Sequence, residues 1–275
     1  MSAKMAASRR LGAALPAVAR EGGGEGAERE VVPRPGQEAC HGRLGRRTFL
    51  HRAGLGAAAA SLAGCGTMAG GPAVLPPSTP ARDPAEALER LRAGNARYVA
   101  GQPQRFRLDE ARRMEMTQGQ TPIATVFACV DSRVPVERVF DHGHGELLVV
   151  RTAAHVLDDA AMGSIEFGVE VLRTPLVVVL GHEECGAVKA AIGAVDGGTA
   201  APGSIQAIAE GLRPAVAAAR AEAGNRTENT TRRHSRMIAE RLRGSPLIGP
   251  ALRDRRVQIV PAYYNIQTGR VDFLA

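Results

Sequence analysis

Two short apolar segments, each ending in residues that carry chemistry, limit what this chain can fold into. Residues 123–128 read Ile-Ala-Thr-Val-Phe-Ala, and residues 176–180 read Leu-Val-Val-Val-Leu. Apolar segments this short and this rich in branched side chains are typical of strands buried in a parallel sheet. Because ligands of open α/β sheets bind at the carboxyl ends of the strands, the residues after both segments are predicted to meet there.

The residues predicted to meet are suited to binding zinc. Cys-Val-Asp-Ser-Arg at 129–133 follows the first segment, and His-Glu-Glu-Cys at 182–185 follows the second. The thiolates of Cys129 and Cys185 and the imidazole of His182 would leave the fourth tetrahedral position open, as in a catalytic zinc site. Two buried thiols and a core histidine are the alternative, since both are common in proteins. That alternative leaves the nearby charged residues unexplained.

Asp131 and Arg133 lie on the first of these loops, close enough in sequence to form a bidentate ion pair. The carboxylate could ligate the metal as a fourth ligand, or it could pair with Arg133 and accept a hydrogen bond from the attacking water. A surface salt bridge at the start of a helix is the alternative without a function. Ser132 could likewise be a cap for the short helix predicted to begin at Pro135.

Disulfides are a weaker interpretation of the four cysteines, which are Cys40, Cys65, Cys129 and Cys185. An even number would allow two disulfides in an exported protein. However, a chain of 275 residues can bury a core without covalent links, and the last two cysteines lie beside His, Asp and Arg.

The order of patterns along the chain predicts an α/β fold. We expect a central parallel sheet of about four strands flanked by helices, with an edge strand or hairpin at the C-terminus. Further strands are predicted at 147–150, 257–260 and 271–274, and helices at 84–99, 108–118, 135–140, 160–173, 204–221 and 229–243. Asp83 is predicted to cap the first helix, with Glu86 completing a capping box. His182 and Cys185 are predicted to share one turn at the start of a further helix.

Residues 1–82 are predicted to direct the protein to its cellular location and to tether it there. Residues 83–275 are predicted to form its catalytic domain. Residues 1–45 lack sustained periodicity, which indicates a disordered leader or a wrongly assigned upstream start. Residues 46–64 are predicted to be an export signal. Residues 65–82, rich in Gly, Pro and Ser, are predicted to be a flexible tether.

The export signal is predicted from Gly-Arg-Arg-Thr-Phe-Leu at 45–50, which resembles a twin-arginine signal. The weakly apolar residues 53–64 would span about 18 Å as a helix, too short for a hydrocarbon core of roughly 30 Å. Leu-Ala-Gly-Cys at 62–65 resembles a lipoprotein signal-peptidase site, with lipidation at Cys65. We therefore expect export by the twin-arginine route to the outer face of the cytoplasmic membrane or the periplasm. A chance Arg pair in an Ala-rich leader is the alternative.

The net charge of +7 does not indicate a nucleic-acid-binding protein. Ten of the 35 Lys and Arg residues and five of the 28 Asp and Glu residues lie in 1–64, so the remainder has a net charge of only +2. No basic stripe interleaved with aromatic residues follows residue 64, and we expect no nucleic-acid partner.

From about residue 83 to 274 the chain resembles the β-class carbonic anhydrases. The motifs that carry the resemblance are Cys-x-Asp-Ser-Arg at 129–133, Phe-Asp at 140–141, Gly-Glu-Leu-Leu-Val-Val-Arg at 145–151, Gly-Ser-Ile-Glu-Phe at 163–167, Gly-His-x-x-Cys-Gly-Ala at 181–187 and Thr-Gly-Arg-Val-Asp-Phe-Leu at 268–274. Their shared order and spacing make the resemblance specific.

The resemblance implies an enzyme with one zinc ion per chain that interconverts carbon dioxide and bicarbonate plus a proton. It implies that the two cysteines and the histidine named above are the ligands, with Asp131 and Arg133 as the catalytic pair. In an inactive state favoured at lower pH, Asp131 would take the fourth position on the metal. The resemblance also implies a homodimer or tetramer, in which N-terminal helices such as 84–99 embrace the partner subunit.

One position departs from the family pattern. Ala154 stands where the family usually has glycine, which suggests a close backbone approach or a special dihedral angle, and we expect reduced activity at most.

His142 and His144 have the residue type of a proton shuttle. Exposed histidines without a role are the favoured interpretation in such a Gly-rich turn.

Two other functions use the same predicted site. One is hydrolysis of a related linear substrate, carbonyl sulfide or carbon disulfide. The other is zinc binding without turnover, for which Ala154 is the only indication and against which Asp131 and Arg133 argue.

Overall fold

The computed structural model describes residues 74–75 and 79–274. The predicted leader, the export signal and the lipidation site at Cys65 lie outside these residues, as does most of the predicted tether. The described part belongs to one compact unit that spans residues 66–275. None of its helices is long and apolar enough to cross a membrane.

Two sheets are present in this part of the chain, and the larger one follows the predicted apolar segments. A short parallel pair consists of β1 (Val74–Leu75) and β2 (Arg105–Phe106). The central sheet consists of β3 (Ala124–Cys129), β4 (Leu147–Thr152), β5 (Leu176–His182), β6 (Gln258–Tyr264) and β7 (Val271–Phe273). Its spatial order is β4-β3-β5-β6-β7, with four parallel strands and an antiparallel β7 at the edge. The predicted fold class is therefore confirmed.

Strands β3 and β5 extend beyond the C-terminal ends of the apolar segments that predicted them. All residues of β3 and β5 are buried, which explains their continuous apolar pattern. Cys129 still pairs with Thr152 across the sheet, and His182 still pairs with Tyr264. Each strand therefore ends on one of the predicted zinc ligands, whose backbones are held by the sheet.

In the part of the chain described, eight α-helices surround the sheet, and a short 3₁₀ helix covers Ala153–His155. The α-helices are α1 (Pro84–Val99), α2 (Glu110–Met116), α3 (Val136–Val139), α4 (Asp159–Glu170), α5 (Gly186–Gly197), α6 (Ile205–Ala218), α7 (Arg226–Arg243) and α8 (Ile248–Arg253). The predicted bounds of α1 are confirmed, while α2 is two residues shorter at each end. Sequence patterns missed α8, because six residues that include Gly249 and Pro250 show little periodicity.

Local hydrogen bonds at two helix starts differ from the predicted ones. The Asp83 carboxylate accepts from the backbone N–H of Glu86 at 2.8 Å, as expected of a helix cap. The Glu86 carboxylate, however, accepts from the N–H of Arg82 at 3.0 Å, so the capping box closes one residue earlier than predicted. Ser132 caps nothing, because α3 is preceded directly by Pro135 without a side-chain cap.

Alternate residues of the strands face opposite sides of the sheet and build two cores. On one side, Val126 and Val178 belong to a cluster with Leu91 of α1. On the other, Phe127 and Val179 belong to a cluster with residues of α4, α7 and α8. A third cluster contains Cys129 and Cys185 with apolar residues of α5 and α6, and it surrounds the carboxyl ends of β3 and the loop after β5.

Candidate metal centre

The three predicted zinc ligands meet at the carboxyl edge of the sheet. Cys129 is the last residue of β3 and His182 the last residue of β5, which is its parallel neighbour. Cys185 directly precedes α5, so it and His182 lie at the two ends of the strand-to-helix turn. The prediction that the two residues share one helical turn is therefore wrong. The ligand atoms of the three side chains all lie within 4.8 Å of one another, and all three residues are buried.

The His182 ring is oriented for binding a metal through Nε2. Its Nδ1 lies 2.8 Å from the carbonyl oxygen of Glu183. A carbonyl can only accept, so Nδ1 carries the proton and Nε2 keeps a free lone pair. Nε2 is buried without a hydrogen-bond partner within the described structure, an arrangement that is rare unless another group satisfies it. A metal ion held by the two thiols and this nitrogen would satisfy it.

The two sulfur atoms are 4.0 Å apart, a distance at which a thiol can hydrogen-bond to a thiolate. The hydrogen bond with Cys185 lowers the pKa of Cys129, and the same contact together with burial raises the pKa of Cys185. Two thiolates at this distance would repel each other, so the pair retains one proton. Zinc requires thiolate ligands and would replace that proton, which makes this set of two sulfurs and one nitrogen a fit for zinc.

Asp131 is tied to Arg133 beside these ligands. The guanidinium Nε and Nη2 donate to the two carboxylate oxygens at 3.0 and 2.7 Å, and the backbone N–H of Arg133 donates at 2.9 Å. These bonds to Arg133 lower the pKa of Asp131 to about 2, so the carboxylate is ionised near neutral pH. One carboxylate oxygen lies 3.8 Å from Nε2 of His182. Of the two predicted arrangements, the structure has the one in which Asp131 pairs with Arg133.

Arg151 holds the loop that carries Cys129 and Asp131, a role that the sequence patterns did not indicate. Its Nε donates to the carbonyl oxygen of Cys129 at 2.8 Å, and its Nη2 donates to that of Asp131 at 2.6 Å. Arg133 makes a similar contact with the second loop, donating from Nη2 to the carbonyl oxygen of Glu184 at 3.2 Å. The available signals for Arg151 were its position near the end of β4 and its place in the Gly-Glu-Leu-Leu-Val-Val-Arg motif.

The turn at Ala154 has a backbone conformation that glycine adopts more readily than alanine. Ala154 and His155 have φ angles of 50° and 45°, in the left-handed region that favours glycine. This backbone directs the N–H of Ala154 to the sulfur of Cys129 at 3.2 Å. Ala154 is fully buried in the cluster that contains both cysteines. The methyl group is thus accommodated by the surrounding apolar residues.

His142 and His144 lie away from this edge. Both precede β4, so they are at the amino ends of the parallel strands, opposite the ligands. Nδ1 of His142 lies 2.6 Å from the Phe140 carbonyl oxygen, and burial lowers the pKa of His142. His144 is exposed. The shuttle interpretation gains no support from this placement.

Two other histidines, which sequence analysis did not single out, are buried behind the site. The ring centroids of His155 and His234 are 4.7 Å apart, and burial lowers the pKa of both, that of His234 to about 4. Gly181, next to His182, lets α7 approach here, because a Cβ at that position would lie 2.5 Å from Cγ2 of Thr231. The neutral histidines therefore belong to the packing of α7 against β5.

Comparisons with known proteins identify the relatives of this chain. A family model described as carbonic anhydrase matches residues 124–271. The chain is 42% identical over 194 residues to a carbonic anhydrase of Mycolicibacterium smegmatis, covering 70% of this chain and 94% of that protein. It is 40% identical over 192 residues to carbonic anhydrase 2 of Mycobacterium tuberculosis, covering 70% and 93%.

Solved structures of more distant proteins share the fold. A tetrameric β-carbonic anhydrase of Sordaria macrospora aligns with a TM-score of 0.55 at 21% identity, over 70% of this chain and 96% of that one. A β-carbonic anhydrase of Coccomyxa aligns with a TM-score of 0.54 at 21% identity, over 70% and 86%.

Proposed function

The chain belongs to the carbonic anhydrase family, and from this premise we propose how its residues carry out the reaction. The enzyme interconverts carbon dioxide and bicarbonate plus a proton, and its cofactor is zinc. The observation that carries the proposal is the buried, unpartnered Nε2 of His182, which shares a cluster with two thiols beside an ion-paired carboxylate.

Cys129, His182 and Cys185 would hold one zinc ion per chain. Zinc so held supplies Lewis acidity that lowers the pKa of water towards neutrality and makes it a nucleophile. The buried thiolates also neutralise the charge of the dication, which limits the cost of placing it in an apolar cluster. Three protein ligands leave room for the reacting molecules.

Asp131 would orient the attacking water. Its carboxylate is ionised at neutral pH and can only accept hydrogen bonds, so it would hold a proton of the water and direct the lone pair towards carbon dioxide. The attack forms the new C–O bond of bicarbonate and releases one proton to solvent. Arg133 would keep the carboxylate turned to the reaction, because its bidentate contact fixes both oxygens.

The second predicted position of Asp131, as a fourth ligand, is part of the proposal as an inactive state. Its carboxylate oxygen is 3.8 Å from Nε2 of His182, so a side-chain rotation that breaks the pair with Arg133 would bring it to the metal. Arg133 would then control which state is occupied.

We propose that the enzyme is a homo-oligomer, a dimer or tetramer. Helix α2 has no buried residue, and Leu108 and Met114 beside and on it are 55% and 62% exposed. Such apolar exposure on a helix at the N-terminal side of the domain supports a contact with a partner subunit, to which α1 would contribute. Light scattering of the purified protein measures the mass, and a monomer would contradict the proposal.

We also propose that the enzyme is exported and anchored by a lipid on Cys65. Support comes from the twin-arginine-like and lipoprotein-like motifs within 45–65. Palmitate labelling and globomycin-sensitive processing should both be lost in Cys65→Ala, and persistence of either would contradict the anchor.

Stopped-flow hydration of carbon dioxide tests the function. The zinc-loaded protein should be faster than its Asp131→Ala variant at equal zinc content, and equal rates would overturn the catalytic proposal. The same assay with carbonyl sulfide and carbon disulfide tests the alternative substrates.

A further inference from the structure

We propose that Glu183 and Asn265 form a positioning pair that fixes the imidazole of His182 for zinc. The inference rests on the proposed function as a zinc enzyme and concerns residues that would touch neither the metal nor the substrate. It assigns separate tasks to the two adjacent glutamates of the His-Glu-Glu-Cys motif.

The first step is the contact that sets the His182 ring. Nδ1–H of the ring donates to the carbonyl oxygen of Glu183 at 2.8 Å. The direction of that carbonyl therefore determines where Nε2 points. Partners of this kind orient metal-binding histidines and raise their basicity.

The second step is the way in which Glu183 is held. Its backbone N–H donates to the carbonyl oxygen of Tyr264 at 2.8 Å, which extends the pairing of β5 and β6 by one residue. Its carboxylate accepts from Nδ2 of Asn265 at 3.1 Å and from the N–H of Gln267 at 3.1 Å. Backbone and side chain are thus both attached to β6 and the turn after it, so the peptide that carries the carbonyl has little freedom to rotate.

The turn that receives Glu183 is itself well fixed. Oδ1 of Asn265 accepts from the N–H and the hydroxyl of Thr268, both at 2.7 Å. From the other side, Asn95 of α1 donates to the carbonyl oxygen of Gly269 at 2.8 Å and accepts from the N–H of Val271 at 2.9 Å. The turn that binds the Glu183 carboxylate is therefore held in place by its own hydrogen bonds and by Asn95 of α1.

Glu184 provides the contrast. Its carboxylate pairs with Lys189 at the surface, where its side chain is 46% exposed. An exposed pair of this kind contributes little to the geometry of a buried ring. Of the two glutamates, Glu183 is the one whose carbonyl oxygen contacts the His182 ring.

A reversed hydrogen bond gives a sharp test. Asn265→Asp keeps the acceptor for Thr268 but places a second carboxylate against Glu183, which should turn the Glu183 peptide. Combining it with Glu183→Gln restores the contact, because the new amide can donate to the new carboxylate. Zinc affinity of the full chain is measured by competition with a chelator, and the melting temperature is measured with and without zinc.

We expect Asn265→Asp and Glu183→Ala each to weaken zinc binding about tenfold or more, the usual effect of losing such a partner. The double variant Glu183→Gln/Asn265→Asp should recover most of the affinity. The melting-temperature gain on adding zinc should shrink in the single variants, because ligand stabilisation follows affinity. Glu210→Ala removes an exposed carboxylate on α6 and should change neither quantity.

Unchanged zinc affinity in the single variants, or equal losses of melting temperature with and without zinc, would overturn the inference, since a purely structural role gives that result. Lack of rescue in the double variant would also count against it. Affinity losses with rescue would support the inference even if the wild type failed to hydrate carbon dioxide, an outcome that would reject only the proposed function.

Discussion

The backbone N–H of Ala154 donates a hydrogen bond to the sulfur of Cys129 at 3.2 Å. The bond stabilises negative charge on a predicted zinc ligand, and it depends on a left-handed backbone at a residue that is not glycine. The left-handed backbone of Ala154 thus places a hydrogen-bond donor next to the sulfur of Cys129.

Substitutions at Ala154 should separate strain from packing. Ala154→Val adds a β-branched side chain to a left-handed position in a closed cluster and should destabilise the fold by about 2–4 kcal/mol. In Ala154→Gly, about 1–2 kcal/mol of relieved strain is offset by the lost methyl burial and the added chain entropy, so stability should change by less than about 1 kcal/mol. Urea unfolding checks both values. A valine variant as stable as the wild type would show that the turn is not constrained.

Asp131→Asn tests the charge of the proposed orienting group with little change in shape. We expect kcat/KM to fall by about 10²-fold or more, because an amide nitrogen in place of a carboxylate oxygen donates where an acceptor is needed. Zinc content should stay at the wild-type value, since the three ligands are intact. A fall of less than about threefold in stopped-flow assays would show that the charge is dispensable.

Cys185→Ala should abolish tight zinc binding. Two remaining ligands hold zinc poorly, and the apolar residues around the site offer no replacement donor. Metal analysis after dialysis should fall from about one zinc per chain to near zero. Cys40→Ala is the matched control, because it replaces a cysteine that is not among the three predicted ligands. Retention of zinc in Cys185→Ala would mean that the ligand set is wrong.

The buried histidine pair should make the fold sensitive to mild acid. His234 has a pKa of about 4 in the folded protein because of burial, against roughly 6.5 when unfolded. The folded pKa is the lower one, so the associated stability is complete above about pH 6.5 and is lost as the pH falls towards 4. The loss should be on the order of 2 kcal/mol by pH 5.

Urea unfolding of the wild type and of His234→Gln at pH 7.5 and pH 5 measures this loss. The variant should lose less stability between the two pH values than the wild type does. The exposed His144→Gln should behave like the wild type, and identical pH dependence in all three proteins would exclude the histidine pair as the cause.

The position of the candidate site could be predicted from sequence, because its three predicted ligands follow strands that are easy to recognise. The apolar segments before Cys129 and His182 identify buried parallel strands, and parallel strands bring their carboxyl ends to one edge. Asp131 and Arg133 are two residues apart on one loop, so their pairing is a local property. The parallel sheet and the C-terminal edge strand were predicted from the same patterns, whereas the order of the strands came from the structure.

Other features depended on contacts between distant parts of the chain. His155 and His234 come from a turn and from a helix far along the sequence, and nothing in either segment alone indicates that their rings stack. Glu183 and Glu184 are chemically identical neighbours, yet one binds the turn after β6 and the other faces solvent.

The sequence by itself determined the sheet, the edge that carries the predicted ligands and the motifs that define the family. Apolar periodicity and motif spacing are properties of short segments, so they can be recognised without the tertiary structure. Only the tertiary structure decided that Arg151, Ala154 and Glu183 contact the loops and side chains of the site. These contacts depend on strand register and on the backbone angles of turns, which packing of the whole domain selects. Residues that position the site are therefore visible only in three dimensions.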